Sequence, residues 1–209
     1  MTNQRIAELV APFLGGHALS SEQLTTLSRY LDLLLQWNAK INLTAVRDPE
    51  EIATRHFGES LFAARHLLSN PGPQNPVVDV GAGAGFPGLP MKIWAPTVEL
   101  TLIESNHKKA VFLRDAVRTL GLQGVTVVPQ RAEKVQLKAG LVVMRAVERF
   151  EDSLPIARTL LGPGRRLALL IGAAQVEMAK SLVRDLRWEH ALSVPLSRNR
   201  VLLTGVSEA

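Results

Sequence analysis

Cysteine is absent from the 209-residue chain, which removes disulfides, thiolate metal sites and any covalent mechanism built on a cysteine nucleophile. No apolar run reaches membrane-spanning length. The N-terminus, with Arg5 and Glu8 inside an amphipathic pattern, lacks the uninterrupted apolar core of a signal peptide. Both absences point to a cytoplasmic protein without a membrane partner. Low-complexity tracts and internal repeats are also missing. With 46% hydrophobic and 21% charged residues, the chain reads as an ordinary globular protein with room for one substantial core and a small appendage.

What the chain has in excess is positive charge: 24 Lys and Arg against 19 Asp and Glu, a net +5 and an isoelectric point near 10.0. That balance favours a polyanionic partner. Lys108, Lys109, Arg114 and Arg118 fall on one segment, and Arg145, Arg149, Arg158, Arg165 and Arg166 crowd another. Basic side chains that merely solubilise helix faces would produce the same composition.

Residues 3 to 68 read as helical throughout, with Leu24, Leu27, Leu31, Leu34 and Leu35 at the three-and-four spacing of an apolar helix face. Ser20 and Gln23 make a capping box, and Asp48-Pro49 offers a second start, a carboxylate cap with proline at the first helical position. Asn70-Pro71-Gly72-Pro73-Gln74-Asn75-Pro76 then breaks the chain. The expected organisation is a helical cap over 1–70 and a main domain over 71–209. From residue 76, strands near 77–81, 98–103, 125–129, 140–144 and 166–171 alternate with helices near 87–95, 105–120, 151–161 and 173–185, the pattern of right-handed βαβ units. Two last strands, about 187–194 and 199–206, are joined too tightly for a helix and should form an antiparallel hairpin.

The densest local signal is Val77-Val78-Asp79-Val80-Gly81-Ala82-Gly83-Ala84-Gly85-Phe86-Pro87-Gly88, a buried strand turning through glycines into a helix with Pro87 at its first position. Gly81, Gly83 and Gly85 allow positive φ and close approach of a ligand. Gly83 to Gly88 also satisfies G-x-G-x-x-G, so both a dinucleotide and S-adenosylmethionine are candidates. Each contains an adenosine, and Glu104 at the end of the second strand would accept from its ribose hydroxyls in either case. Three features favour the methyl donor: about a third of the chain precedes the loop and little follows the sheet; the loop opens Asp-Val-Gly-Ala-Gly-Ala-Gly, which looks like methyltransferase motif I, with Asp79 near the amino-acid end of the cofactor; and Gln130-Arg131-Ala132-Glu133 follows the third strand, where an acidic residue near the adenine is common. A structural glycine turn serving another ligand remains open. Phe86 reads equally as core packing, and Glu133 as a helix cap.

The set Trp37-Asn38, Ile41 to Asp48, Arg55-His56, Asp79 to Pro90 and Arg145-Ala146 closely resembles the bacterial methyltransferase G family of the small ribosomal subunit, also called glucose-inhibited division protein B, from about residue 20 to the C-terminus. The resemblance implies an α/β, Rossmann-like class I S-adenosylmethionine-dependent methyltransferase. Its sheet is expected to be mostly parallel and seven-stranded, with an antiparallel C-terminal hairpin and an N-terminal helical extension. It implies methylation of N7 of a guanine in 16S rRNA, on rRNA or the 30S subunit, by a monomer. Gly81, Phe86, Ala132, Glu133 and Arg145 should contact the cofactor, with no metal. Asn42, His56, Arg131 and Arg145 match polar positions of the family's reaction cleft, although His56 reads equally as a satisfied structural histidine and Asn42 as a helix cap. Two positions depart from the pattern: Ile171-Gly172 stands where a lysine precedes the glycine, and Glu59 replaces aspartate while keeping its charge.

The implied chemistry suits what is missing. Guanine N7 carries an in-plane lone pair and no proton, so it attacks the sulfonium methyl in one in-line displacement without a general base, and alignment does most of the work. Carbon methylation through a cysteine adduct is excluded. The Asn/Asp-Pro-Pro-aromatic run of amine methylation is replaced by Met144-Arg145-Ala146-Val147. The alternative from another class is an RNA- or ribosome-binding module that keeps a cofactor fold without transferring a methyl group.

Overall fold

The computed structural model describes residues 1–68, 75–147 and 149–208. The expected N-terminal helical layer is present but interrupted. Helix α1 (Asn3–Val10) runs through a 3-10 turn into Gly15 and Gly16, both at positive φ, and α2 (Ser21–Ile41) ends at Asn42 in the left-handed region. These two breaks overturn the reading of 3–68 as helical throughout, because a left-handed residue cannot continue an α-helix. Both expected caps are in place: Ser20 and Gln23 exchange side-chain and backbone hydrogen bonds, and Asp48 accepts from the Glu51 N–H at 2.8 Å. From there α3 (Pro49–Glu51), a π-helical stretch (Ile52–Gly58) and α4 (Glu59–Leu68) follow without a gap. Of the expected Asn70–Pro76 boundary, residues 70–74 lie outside the described residues.

The alternation of strands and helices appears where the sequence put it: β1 (Val77–Val80), α5 (Gly88–Trp94), β2 (Leu100–Ile103), α6 (His107–Leu120), β3 (Val125–Val128), β4 (Ala139–Arg145), α7 (Phe150–Thr159), β5 (Leu161–Gly172) and α8 (Val176–Leu182). Strands β1 to β5 pair in parallel in the order 3-2-1-4-5. The C-terminal hairpin closes the sheet: β8 (Arg200–Ser207) inserts antiparallel beside β5, and β6 (Leu186–Trp188) lies on its outer side. The single strand expected near 187–194 is divided. Residues Leu192–Ser193 form a separate short β7 on β8, so β6 and β7 lie end to end at one sheet position. Pro87 is displaced by one residue from its expected place: it caps α5, and Gly88 is the first helical residue.

The sheet is buried on both faces, as its near-continuous apolar strands require. Helices α1, α2 and α4–α6 cover one face together with Val77, Leu102, Val143 and Leu202, in one core that joins the expected cap to the main domain. Helices α7 and α8 cover the other face against Val78, Val142, Leu167 and Leu203. Gln23 ties the layers further, its amide donating to the carbonyls of Ile93 and Trp94 at the end of α5. No helix among the described residues is long and apolar enough to cross a membrane.

Candidate active site

A cavity of about 570 Å³ opens at the carboxyl ends of β1, β2 and β4, the position ligands take in open α/β sheets and a size that suits a small organic molecule. Gly81, Gly83 and Phe86 from the glycine loop line it, with Glu104 after β2, Arg131, Ala132 and Glu133 after β3, and Arg145 at the end of β4. His56 and Thr44 reach it from the N-terminal layer. The sequence therefore brought nine of its expected site residues to one cavity. Asp79 and Asn42 do not line it.

The loop is held from above and below. Gly83 sits at φ +57°, and a Cβ there would meet nothing nearer than the Gly81 carbonyl at 3.8 Å, so this stretch of backbone lies open to a ligand. Gly85 is different: a Cβ would strike Leu89 and the Tyr30 hydroxyl. Tyr30, fully buried, donates to the Ala84 carbonyl, stacks on Phe57 and meets Phe86 at a tilt. It is the chain's one tyrosine, set in the leucine stripe of α2, and that oddity was the sequence signal for its role.

The two acids differ in what they have left to give. Glu104 is anchored by the N–H groups of Gly83 (2.9 Å to Oε2) and Asn106 (2.7 Å to Oε1). A carboxylate has about four acceptor positions, so two remain for ligand hydroxyls at the cavity wall. Asp79 is fully buried on the sheet face that carries the N-terminal helices, and its Oδ2 accepts from the Gly88 N–H at 2.8 Å while Oδ1 has no partner. Burial pushes its pKa up to about 7, with Gly88 and Arg145 opposing and Glu104 adding to the rise. Asp79 thus lies behind the cavity wall, where its carboxyl takes up the N–H of the first residue of α5. A dinucleotide rests its pyrophosphate on the helix N-terminus after the glycine loop. Here the first N–H of that helix is already taken by the Asp79 side chain.

Arg145, only 8% exposed, gathers the far wall. Its guanidinium donates to His56 Nδ1 (3.0 Å), the Arg55 carbonyl (2.8 Å) and Glu59 Oε2 (3.0 Å), and lies 5.9 Å from the Phe86 ring centre; its Nε has no partner. Arg200, from β8, brings its Nε within 2.9 Å of the same Glu59 oxygen. One buried carboxylate thus joins two arginines, an arrangement that needs the partner on each side to be tolerable inside a protein. His56 stacks on Phe86 with ring centres 4.7 Å apart. Burial, then the charges of Arg145, Arg55 and Arg200, lower its pKa to about 3, so the ring is neutral.

Sequence reasoning missed Thr44, Tyr30 and Arg200. Thr44 is positioned by Asn38, whose amide donates to the Thr44 carbonyl (3.0 Å) and accepts from its N–H (2.9 Å). Asn42 is the exposed C-cap of α2, its side-chain oxygen accepting from Arg47 at 3.1 Å, which matches the helix-cap reading. Arg131 is exposed at the rim near Glu133 (3.7 Å). Ile171 is buried in the aliphatic face, so no polar side chain reaches the cavity from that position. Ala146 and Arg149, both at positive φ without being glycine, mark a strained loop at the cavity edge.

The fold is that of solved methyltransferases. Magnesium protoporphyrin IX methyltransferase from Synechocystis, solved with bound S-adenosylmethionine, superposes with a TM-score of 0.65 over 92% of this chain and 100% of its own at 14% identity. An S-adenosylmethionine-dependent methyltransferase from Aquifex aeolicus gives 0.60 over 79% and 96% at 17% identity. Closer in sequence are proteins named ribosomal RNA small subunit methyltransferase G: that of Xanthomonas campestris pv. campestris is 36% identical over 91% of this chain and 89% of its own length. That of Nitrosomonas europaea is 45% identical over 64% of this chain, a match that spans 61% of the relative. The sequence model described as GidB, rRNA small subunit methyltransferase G, matches residues 23–198. This chain belongs to the rRNA small subunit methyltransferase G family.

Proposed function

We propose that the protein transfers a methyl group from S-adenosylmethionine to N7 of a guanine in 16S rRNA, acting as a monomer on rRNA that is free or within the 30S subunit. The observation that supports this reading is Glu104 at the glycine loop: held by the Gly83 and Asn106 N–H groups, it keeps two acceptor positions for the hydroxyls of a nucleoside. The residues fit the cofactor. Glu104 would hold its ribose, the Gly81–Gly83 backbone would approach it closely, Ala132 and Glu133 would contact the adenine side, and Phe86 and Arg145 would contribute to the rest of the binding site.

S-adenosylmethionine, when bound, supplies an electrophilic methyl on a positively charged sulfur. The protein's own part is alignment and exclusion of water. His56 is not free to remove a proton: its Nδ1 accepts from Arg145 and its other nitrogen is engaged with Thr44. That state suits an attack by N7, which has no proton to lose. Arg131, exposed at the cavity rim, and Asn42, exposed at the end of α2, would be available to rRNA, and arginine planes also stack on splayed bases.

Labelled methyl donor with 16S rRNA or 30S subunits, followed by primer extension, tests the reading. The expected result is label in rRNA at one guanine. RNA binding with no transfer would instead identify a binding module.

A further inference from the structure

The Thr44 hydroxyl has only one direction left in which to give its proton. Arginine nitrogens only donate, so the 3.0 Å contact between Arg145 and His56 Nδ1 makes Nδ1 an acceptor. The proton of the neutral ring therefore sits on Nε2. That nitrogen is 2.8 Å from Thr44 Oγ1 and donates to it. The Val46 N–H donates to the same oxygen at 3.2 Å. A hydroxyl has two acceptor positions and one proton; with both acceptor positions filled, Thr44 must act as a donor, and no acceptor among the described residues takes its proton. Thr44 lines the cavity, and the double clamp from Asn38 fixes its backbone there.

We propose that Thr44 is a specificity-determining residue whose hydroxyl donates to O6 of the target guanine, the acceptor beside the methylated N7. The inference rests on the guanine-N7 reading above. Guanine presents N7 and O6 as neighbouring acceptors, whereas adenine presents N7 beside an amino donor. A donor with its orientation fixed through Arg145 and His56 accepts the first edge. It meets the second donor to donor, leaving both protons without an acceptor. Arg145 and His56 are positioning residues in this chain of hydrogen bonds: they set the direction of a hydroxyl that touches the base.

The test places inosine, which keeps O6 and N7, or 2-aminopurine, which keeps N7 and lacks O6, at the nucleotide mapped by primer extension, and compares methylation rates for the unaltered enzyme, Thr44→Ser and Thr44→Val. The unaltered enzyme and Thr44→Ser should prefer inosine by about tenfold or more, and Thr44→Val should bring the ratio close to one while S-adenosylhomocysteine affinity stays within about twofold. Because the ratio is internal to each variant, partial unfolding lowers both rates together and leaves it unchanged. A Thr44→Val enzyme that keeps the full preference for inosine overturns the proposal. An unaltered enzyme that methylates neither base, nor guanine, overturns the functional reading beneath it.

Discussion

The two faces of the sheet are built from different materials. Among the described residues, all six buried Phe and Tyr side chains, Phe13, Tyr30, Phe57, Phe62, Phe86 and Phe112, lie on the face covered by α1, α2 and α4–α6, whereas the α7–α8 face has a wholly aliphatic buried core. The buried polar network of His56, Glu59 and Arg145 stands over the aromatic face as well. The difference is one of direction. Aliphatic packing stabilises by area and specifies little about orientation, while Tyr30 on the Ala84 carbonyl, His56 on Phe86 and Trp37 on Asp115 (3.0 Å) each fix an angle as well as a distance. The aromatic face shapes the cavity wall; the aliphatic face holds the sheet together.

The sharpest way to break this comparison is Arg145→Ala. It removes the group that joins His56, the Arg55 carbonyl and Glu59, while Arg200 remains to pair with Glu59. Methylation in a primer-extension assay should fall by roughly a hundredfold or more, since misplacement of about 1 Å is enough for that loss, with the circular-dichroism spectrum unchanged. Activity that survives intact would detach the network from function. On the opposite face, Leu167→Ala removes a fully buried side chain. It should cost about 2–5 kcal/mol of stability in a denaturant titration and leave kcat within about twofold well below the melting temperature. A selective loss of kcat there would erase the contrast between the faces.

The titrating groups of the aromatic face give a third test. His56, held near 3 against an ordinary 6.5, binds fewer protons folded than unfolded, so its contribution is complete above 6.5 and is lost as pH falls toward 3. Asp79, raised from 3.8 to about 7, binds more protons folded than unfolded, so its contribution is lost as pH rises from 3.8 to 7. Between about pH 4 and 6.5 the two slopes oppose each other. Asp79→Asn should make stability climb with pH in that window, and His56→Gln should make it decline. Two unchanged profiles would mean that these side chains titrate normally.

Much of this was legible from the chain alone. Alternating strand and helix patterns, the glycine loop, both helix caps and the C-terminal hairpin are written in local spacing and turn chemistry, and they appear within a few residues of their expected bounds. Contacts between distant segments were not. Tyr30 reaches Ala84 across 54 residues, and Arg145 reaches Glu59 across 86. Glu59, noted in the sequence only for keeping its charge, proves to be the carboxylate shared by two arginines. Thr44 gave no local sign, because its role is imposed by Asn38, His56 and Val46 together. Asp79 was legible as a motif residue but not as the acceptor for the first N–H of α5.

The most direct measurement is calorimetric titration with S-adenosylhomocysteine, comparing the unaltered protein with Glu104→Gln, whose amide replaces an acceptor by a donor. One molecule should bind per chain, with affinity about tenfold weaker in Glu104→Gln and no response to NADH from either protein. Saturation by NADH with no heat from S-adenosylhomocysteine would contradict the account.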